Sequence, residues 1–313
     1  MKLFTGSLNI DFLKLRKVMM VFSLTLLLAA VGSLSTKFLS LGLDFTGGTL
    51  IEVGYENTAD LSLIRSELSA VGFEGAVVQY FGSSTDVTVR LAPIAGMKNE
   101  DIGNRVEEIL KAADSSVTIR RIEFVGPSVG DELTQQGGMA MLVALICIMI
   151  YVAIRFEWKF AVGSVSALAH DVTITLGLFS ILGLEFDLTV LAALLAVIGY
   201  SLNDTIVIFD RIRENFLRMR KGTPEDIVNR SLNQTISRTI ITSMTTILVL
   251  LALYLKGGEL IHGFATALLI GVVIGTYSSI YVASTIALAL GVSKEDLMPP
   301  EVDKEGADQE ALM

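Results

Sequence analysis

Apolar positions along this chain gather into six runs, at about 18–36, 138–154, 160–183, 187–209, 238–255 and 263–290. A helix needs roughly 20 apolar residues to cross the hydrocarbon core of a bilayer, so each run reads as a transmembrane helix. The first run stands apart from the other five. Residues 37–137 between them mix polar and apolar positions. The pattern predicts a soluble domain at 37–137, one membrane helix before it, and a five-helix membrane domain at 138–290.

Within the soluble stretch the periodicity switches between strand and helix. Thr49–Tyr55 reads as a strand, and Asn57–Thr58 opens a helix over Ala59–Val71 that Gly72 ends. Ala76–Phe81 and Asp86–Leu91 are strands joined by a Gly82–Thr85 turn. Asn99 caps a helix over Glu100–Ala113, and Val117–Val125 is a closing strand. The order β-α-β-β-α-β is the split βαβ or ferredoxin-like plan, an α+β domain. Residues 41–125 hold no His, no Cys and no phosphate-cradling loop. A docking module fits better than a catalytic one, with Gly47-Gly48 as a tight turn out of the membrane.

Composition agrees with the spans: 52% of residues are hydrophobic and the mean hydropathy is +0.62. The net charge of −9 is segregated, and much of it lies in the acidic tail, which reads as solvated and disordered. Bases fix the orientation. Residues 1–17 hold four, Arg155–Lys159 holds two and the 210–237 loop holds six, whereas Leu184–Phe186 holds none. By the positive-inside rule, the N-terminus (1–17), the 210–237 loop and the tail (291–313) are cytoplasmic and the soluble domain is external. Lys14, Arg16 and Lys17 ahead of Val18–Val31 also suit a signal peptide, with small residues at Ala29–Ser33. The five spans that follow favour an uncleaved anchor. Cys147 is the sole cysteine, so no intramolecular disulfide forms. No stretch suggests nucleic acid as a partner.

One span carries candidate chemistry. Asp204 sits inside the 187–209 run, and a carboxylate in an apolar span is costly enough to imply a function. It lies about five residues, or ~8 Å, from the cytoplasmic end of that run. Arg238 opens the 238–255 run on the same side, so the two share a depth and face each other in this reading. Asp171, after His170, is a third polar position at comparable depth. Asn203, Ser201, Thr205, Thr239 and Thr242 add groups that hold water. A desolvated carboxylate beside a guanidinium takes up and releases protons if helix motion changes their distance. The same two residues suit a static ion pair that fixes packing. Asp204 and Arg238 are the first candidates for a proton relay, with Asp171 and Asn203 weaker ones. No metal-ligand cluster, nucleophile triad or cofactor motif is present, which argues against a cofactor and against an enzyme with an organic substrate.

Two further patterns concern scaffolding. Gly263, Ala267, Gly271, Gly275, Ser279, Ala283 and Ala287 fall four apart in the last run, a narrow stripe that admits a neighbouring helix of this chain or of a partner. Thr223, Pro224, Glu225 and Asp226 start a helix in the cytoplasmic loop. Its Ile227, Val228, Leu232 and Ile236 suit a membrane surface, with a structural packing role the favoured reading.

The strings LGLDFTGGT (Leu41–Thr49), ALAHDVTITLGLFSILG (Ala167–Gly183) and IGYSLNDTIVIFDRIREN (Ile198–Asn215) resemble the SecD/SecF protein-export membrane proteins of bacteria, on the side of the smaller partner, SecF. The resemblance covers nearly the whole chain. Its signature positions here are Asp44, Gly47, Gly48, His170, Asp171, Asp210 and Arg211. It implies half of a pseudo-symmetric, RND-related unit in the inner membrane, paired with SecD and associated with the SecYEG channel, YajC and YidC. It implies use of the proton-motive force to draw and release preproteins on the periplasmic side. The family's membrane-embedded Asp and Arg match Asp204 and Arg238. A non-transducing scaffold and, more remotely, a small-molecule RND-type exporter are the alternatives.

Overall fold

The computed structural model describes residues 10–73, 75–93, 99–219, 221–294 and 296. In chain order the elements are α1 (Arg16–Thr36), β1 (Ser40–Leu41), α2 (Leu43–Thr46), β2 (Gly48–Gly54), α3 (Leu61–Ala70), β3 (Val77–Phe81), β4 (Ser83–Leu91), α4 (Asn99–Ala113) and β5 (Thr118–Val125). Then come α5 (Pro127–Arg155), α6 (Trp158–Leu182), β6 (Glu185–Phe186), α7 (Leu188–Arg218), α8 (Pro224–Lys256), α9 (His262–Ser278) and α10 (Ser284–Ala289). A π turn, Ser279–Ala283, joins the last two.

Six of these helical stretches are long and apolar enough to cross a membrane, and all six correspond to the apolar runs. Their ends differ from the hydropathy reading. The helix α5 begins at Pro127, not 138, so the polar turns Pro127–Gln136 belong to it rather than to the soluble domain. The 210–237 loop is mostly helix. Here α7 continues to Arg218, and α8 starts at Pro224 and runs unbroken to Lys256. Hydropathy detects only the lipid-matched part of a helix, whereas backbone hydrogen bonds continue into water wherever side chains permit.

Local chemistry sets those ends. Thr223 Oγ1 accepts from Asp226 N while the Asp226 carboxylate accepts from Thr223 N, a capping box followed by Pro224 at the first helical position. The α6 helix starts on Glu157, whose side chain accepts from Trp158 N, and stops at Gly183 in the left-handed region (φ 65). Ile227, Val228, Leu232 and Ile236 do not lie on a membrane surface. They are buried with Phe12, Leu13, Ile212 and Phe216, because the N-terminal segment and the end of α7 cover that face.

The central helices are α6, α7 and α9, about half buried, with α1, α5 and α8 around them. The small-residue stripe of the last span packs on α7 of the same chain. A Cβ on Gly271 would fall 2.1 Å from Val197 Cγ2, and one on Gly275 would fall 3.0 Å from Ser201 Cβ. Ala267 and Ala283 are wholly buried. Close approach through small residues is how helices gain packing energy where no hydrophobic drive exists.

Residues 48–125 build an antiparallel sheet of order β3-β4-β2-β5. Strand alternation turns Ile51, Val53, Val78, Val87 and Val89 inward against Ile64 and Leu68 of α3 and Ile102, Val106 and Leu110 of α4. Each such side chain contributes roughly 1.5–3 kcal/mol on burial. Asp60, rather than Asn57–Thr58, caps α3 by accepting from Ser62 N and Leu63 N. The β3–β4 turn is shorter than expected, with Ser83 already paired to Phe81 and Gly82 at φ 73. The side chain of Asn99, expected as a cap, lies outside the described residues, as does the tail 297–313.

Arg90 ties the sheet to a separate two-stranded ladder beside the helix ends. β1 pairs in parallel with β6. Arg90 of β4 bridges Glu185 of β6 at 2.5 Å and donates to Leu41 O at 2.9 Å. Burial pushes the Glu185 carboxyl up, and Arg90 pulls it part of the way back. Between the open sheet face and the adjacent helix ends lies a cavity of about 270 Å³, lined by Leu50, Glu52, Thr88, Glu185 and His262 among others. The turn into β2 requires glycine. Gly48 has φ 124, and a Cβ there would fall 2.2 Å from Leu91 O.

Candidate buried carboxylate pair in the membrane domain

Asp204 is carried by a rigidly started helix. The α7 N-terminus is held by Asp187, which accepts from Val190 N at 2.8 Å, and by Asp44, which accepts from Leu188 N at 2.9 Å. Asp44 of the Leu41–Thr49 string thus anchors the helix that bears the acid. Asp204 stands near the middle of the 31-residue α7 rather than near its end. It is 3% exposed. Its Oδ2 has no hydrogen-bond partner among the described residues. A buried polar atom without a partner is rare and calls for a water, an ion or a proton.

Arg238 does not pair with it. Among the described residues no salt bridge within 4.0 Å joins them, and Arg238 is exposed on the surface of this chain. Periodicity gives the reason. Among the residues that α8 buries, Ser231, Thr235, Thr239 and Ser243 fall four apart, and Arg238 is turned about 100° from Thr239 around the helix. Thr239, beside it, is 1% exposed and its Oγ1 is also unpartnered. Asn203 is exposed, on the side of α7 away from Asp204's surroundings.

Asp171 forms a second centre with the opposite wiring. It is 0% exposed. Its Oδ2 accepts from Ser201 Oγ of α7 at 2.7 Å and from Ser278 Oγ of α9 at 2.8 Å. Its Oδ1 lies 2.9 Å from His170 Nδ1. Ser201 is one turn before Asp204, so the two acids flank the same stretch of α7. The His170 ring lies against Tyr277, 6.3 Å between centroids, and its Nε2 is buried without a partner. Of the other signature residues, Asp210 pairs with Arg155 at 3.5 Å and Arg211 with Glu214 at 2.6 Å. The residues that sequence reading missed are Ser278 and Tyr277. Serine in an apolar helix ordinarily bonds its own backbone, so nothing along the chain marks one that reaches a carboxylate. No group of three or more potential metal ligands occurs among the described residues.

Six apolar helices with two acids buried among them, and a small sheet domain at one end of the bundle, define a helical membrane protein. Residues 105–293 match the C-terminal model of the SecD/SecF protein export membrane proteins, and residues 32–59 match the SecD/SecF GG motif. The chain belongs to the SecD/SecF family. Its full-length relatives bear the name protein translocase subunit SecF. That of Vibrio alginolyticus is 60% identical over 96% of each chain. That of Escherichia coli O157:H7 is 49% identical over 92% of this chain and 90% of the relative. Among solved structures, SecDF of Thermus thermophilus, a translocon-associated membrane protein, superposes with a TM-score of 0.83 at 40% identity. The match covers 90% of this chain and 38% of the SecDF chain. The present chain therefore spans well under half of that SecDF chain.

Proposed function

We propose that this chain is the SecF subunit of a SecD–SecF translocase and that Asp204 is the group that binds and releases the coupling proton. The observation that carries this reading is the unpartnered, buried Oδ2 of Asp204 in the centre of a membrane helix. Such an atom suits alternate protonation, because no hydrogen bond has to break when the proton arrives. Arg238 acts from a distance as the countercharge, and it stays protonated throughout. The absence of an Asp204–Arg238 ion pair removes the main support for a static, scaffold-only role.

In this reading the sheet domain is ferredoxin-like and periplasmic, since β2-α3-β3-β4-α4-β5 with the order β3-β4-β2-β5 is that plan. Both termini lie in the cytoplasm, and the protein is a multi-pass component of the inner membrane. SecD is its direct partner, SecYEG, YajC and YidC its wider assembly, and a translocating preprotein its substrate. The family likeness and the basic cytoplasmic segments support these assignments.

The test is Asp204→Asn in proteoliposomes that hold the assembled translocase under an imposed proton gradient. The variant is expected to assemble normally and to lose gradient-driven preprotein export. Export at the wild-type rate overturns the reading.

A further inference from the structure

The polar groups around Asp171 do more than satisfy a buried acid, because they link three places that matter for motion. The first is α7, one turn from Asp204, through Ser201 Oγ. The second is the end of α9, through Ser278 Oγ. The very next residues, Ser279–Ala283, leave α-helical geometry for a π turn, and Ser284 Oγ bonds back five residues to Ser279 O. Single π turns inside α-helices are rare and concentrate at functional positions. The third is α1. Tyr277, next to Ser278, donates its hydroxyl to Met19 O at 2.7 Å and shares a 2.8 Å bond with Ser23 Oγ. Gly275 makes room for the cluster: a Cβ there would stand 3.0 Å from Ser201 Cβ and 3.5 Å from Asp171 Oδ2.

We propose that Asp171 is a positioning residue for the relay, a clamp that ties α7 beside Asp204 to the π turn of the last span. The proposal rests on the reading of Asp204 given above. Asp171 is not itself a carrier, since both of its oxygens are already occupied, whereas Asp204 has one open oxygen. Hydrogen bonds to a charged group are stronger than those between neutral groups. Sliding α7 or α9 along α6 would break the bond that helix makes to Asp171, so the three helices move together. A change at Asp204 is then passed to the π turn and, through Tyr277, to α1.

Besides Tyr200 of α7 and the charged or titratable residues toward the helix ends, these ionisable groups lie on the elements around Asp171. His170 adjoins it on α6, Tyr277 and Tyr281 lie on the last span, Asp204 is on α7 and Arg238 is on α8. The α1 helix has no acid or base between Val18 and Thr36, and Cys147 of α5 is exposed.

Ser278→Ala tests the clamp without altering charge, and Asp171→Asn tests it at the acid. Both are examined in the assembled translocase in proteoliposomes, by the rate and pH profile of gradient-driven export. Each variant is expected to keep export but slow it severalfold, and to move the pH midpoint by about half a unit or more, the scale of one lost hydrogen bond. Ser278→Ala added to Asp171→Asn is expected to change nothing further, because the two report one contact. An unmoved midpoint in Ser278→Ala overturns the clamp. So does an Asp171→Asn variant as inactive as Asp204→Asn, which would make Asp171 a carrier. Running Asp204→Asn in parallel separates the two ideas. If it is inactive while both clamp variants keep the wild-type midpoint, only the clamp falls.

Discussion

Asp171 on α6 and Asp204 on α7 are buried to nearly the same degree, 0% and 3% exposed, in helices that pack against each other. One accepts from two serine hydroxyls and sits against a histidine nitrogen. The other has an oxygen with no partner among the described residues. Burial alone therefore does not mark the working acid. The full desolvation penalty falls on a group left unpaired, and a fully bonded one is part of the scaffold. An apolar membrane core retains an unpaired carboxylate only where its use outweighs that cost.

The comparison breaks most clearly under replacement by a shape-matched apolar side chain. Asp171→Leu strands Ser201 Oγ and His170 Nδ1, while Ser278 Oγ falls back on Gly275 O at 3.2 Å. The expected loss is roughly 2–6 kcal/mol, from two buried polar groups at about 1–3 kcal/mol each. Asp204→Leu removes a group that has no partner for one oxygen, so stability is expected to hold or rise, as when buried charges give way to apolar residues. Thermal unfolding of the detergent-purified complex measures both. Equal losses would mean that the two acids are wired alike.

A smaller effect sharpens the same contrast from the neighbouring helix. Gly275→Val drives a branched side chain into Ser201 and toward Asp171, whereas Gly263→Ala meets only the flexible end of Val190 at 3.0 Å. Overpacking of this kind costs roughly 1–3 kcal/mol. The valine variant is expected to lose about that much in thermal unfolding and the alanine variant much less. The difference disappears if the stripe is merely spacious rather than fitted around the Asp171 cluster.

How much of this was visible along the chain depends on whether a residue's meaning is local. Asp204 stands out because a carboxylate in an apolar run needs no partner to be conspicuous. The six spans were legible for the same reason, since lipid imposes a length and a composition on each run. The capping box at Thr223–Asp226 is local too. Ser201, Ser278 and Tyr277 are different, because their targets lie on other helices and their residue types are ordinary for a membrane span. The expected facing of Arg238 and Asp204 is not formed, because Arg238 is exposed. Depth follows from counting residues, while rotation depends on which face of α8 meets α7, and only the set Ser231, Thr235, Thr239 and Ser243 reveals that. Phe12 and Phe216, which help bury Ile227, Val228, Leu232 and Ile236, are distant in sequence, so the packing role favoured for those residues named no contact.

The Arg90–Glu185 tie between the sheet and the two-stranded ladder provides the mildest version of the comparison. Their side chains are 17% and 34% exposed, so water screens them and the pair is worth far less than a buried one. Burial still raises the Glu185 carboxyl despite Arg90. The folded protein thus binds that proton more tightly than the unfolded chain does. This contribution is full below the ordinary carboxylate range and fades as pH rises through the raised value. Glu185→Gln imitates the protonated side chain and is expected to shift stability by less than about 0.5 kcal/mol, while flattening this pH dependence. Arg90→Ala leaves the carboxylate alone at its half-covered site and also frees Leu41 O, so it is expected to cost about 1 kcal/mol. Hydrogen exchange at the Ser40–Leu41 and Glu185–Phe186 amides measures both changes. Faster exchange in Glu185→Gln than in Arg90→Ala would show that the charge on Glu185, and not the donors of Arg90, holds the sheet in place.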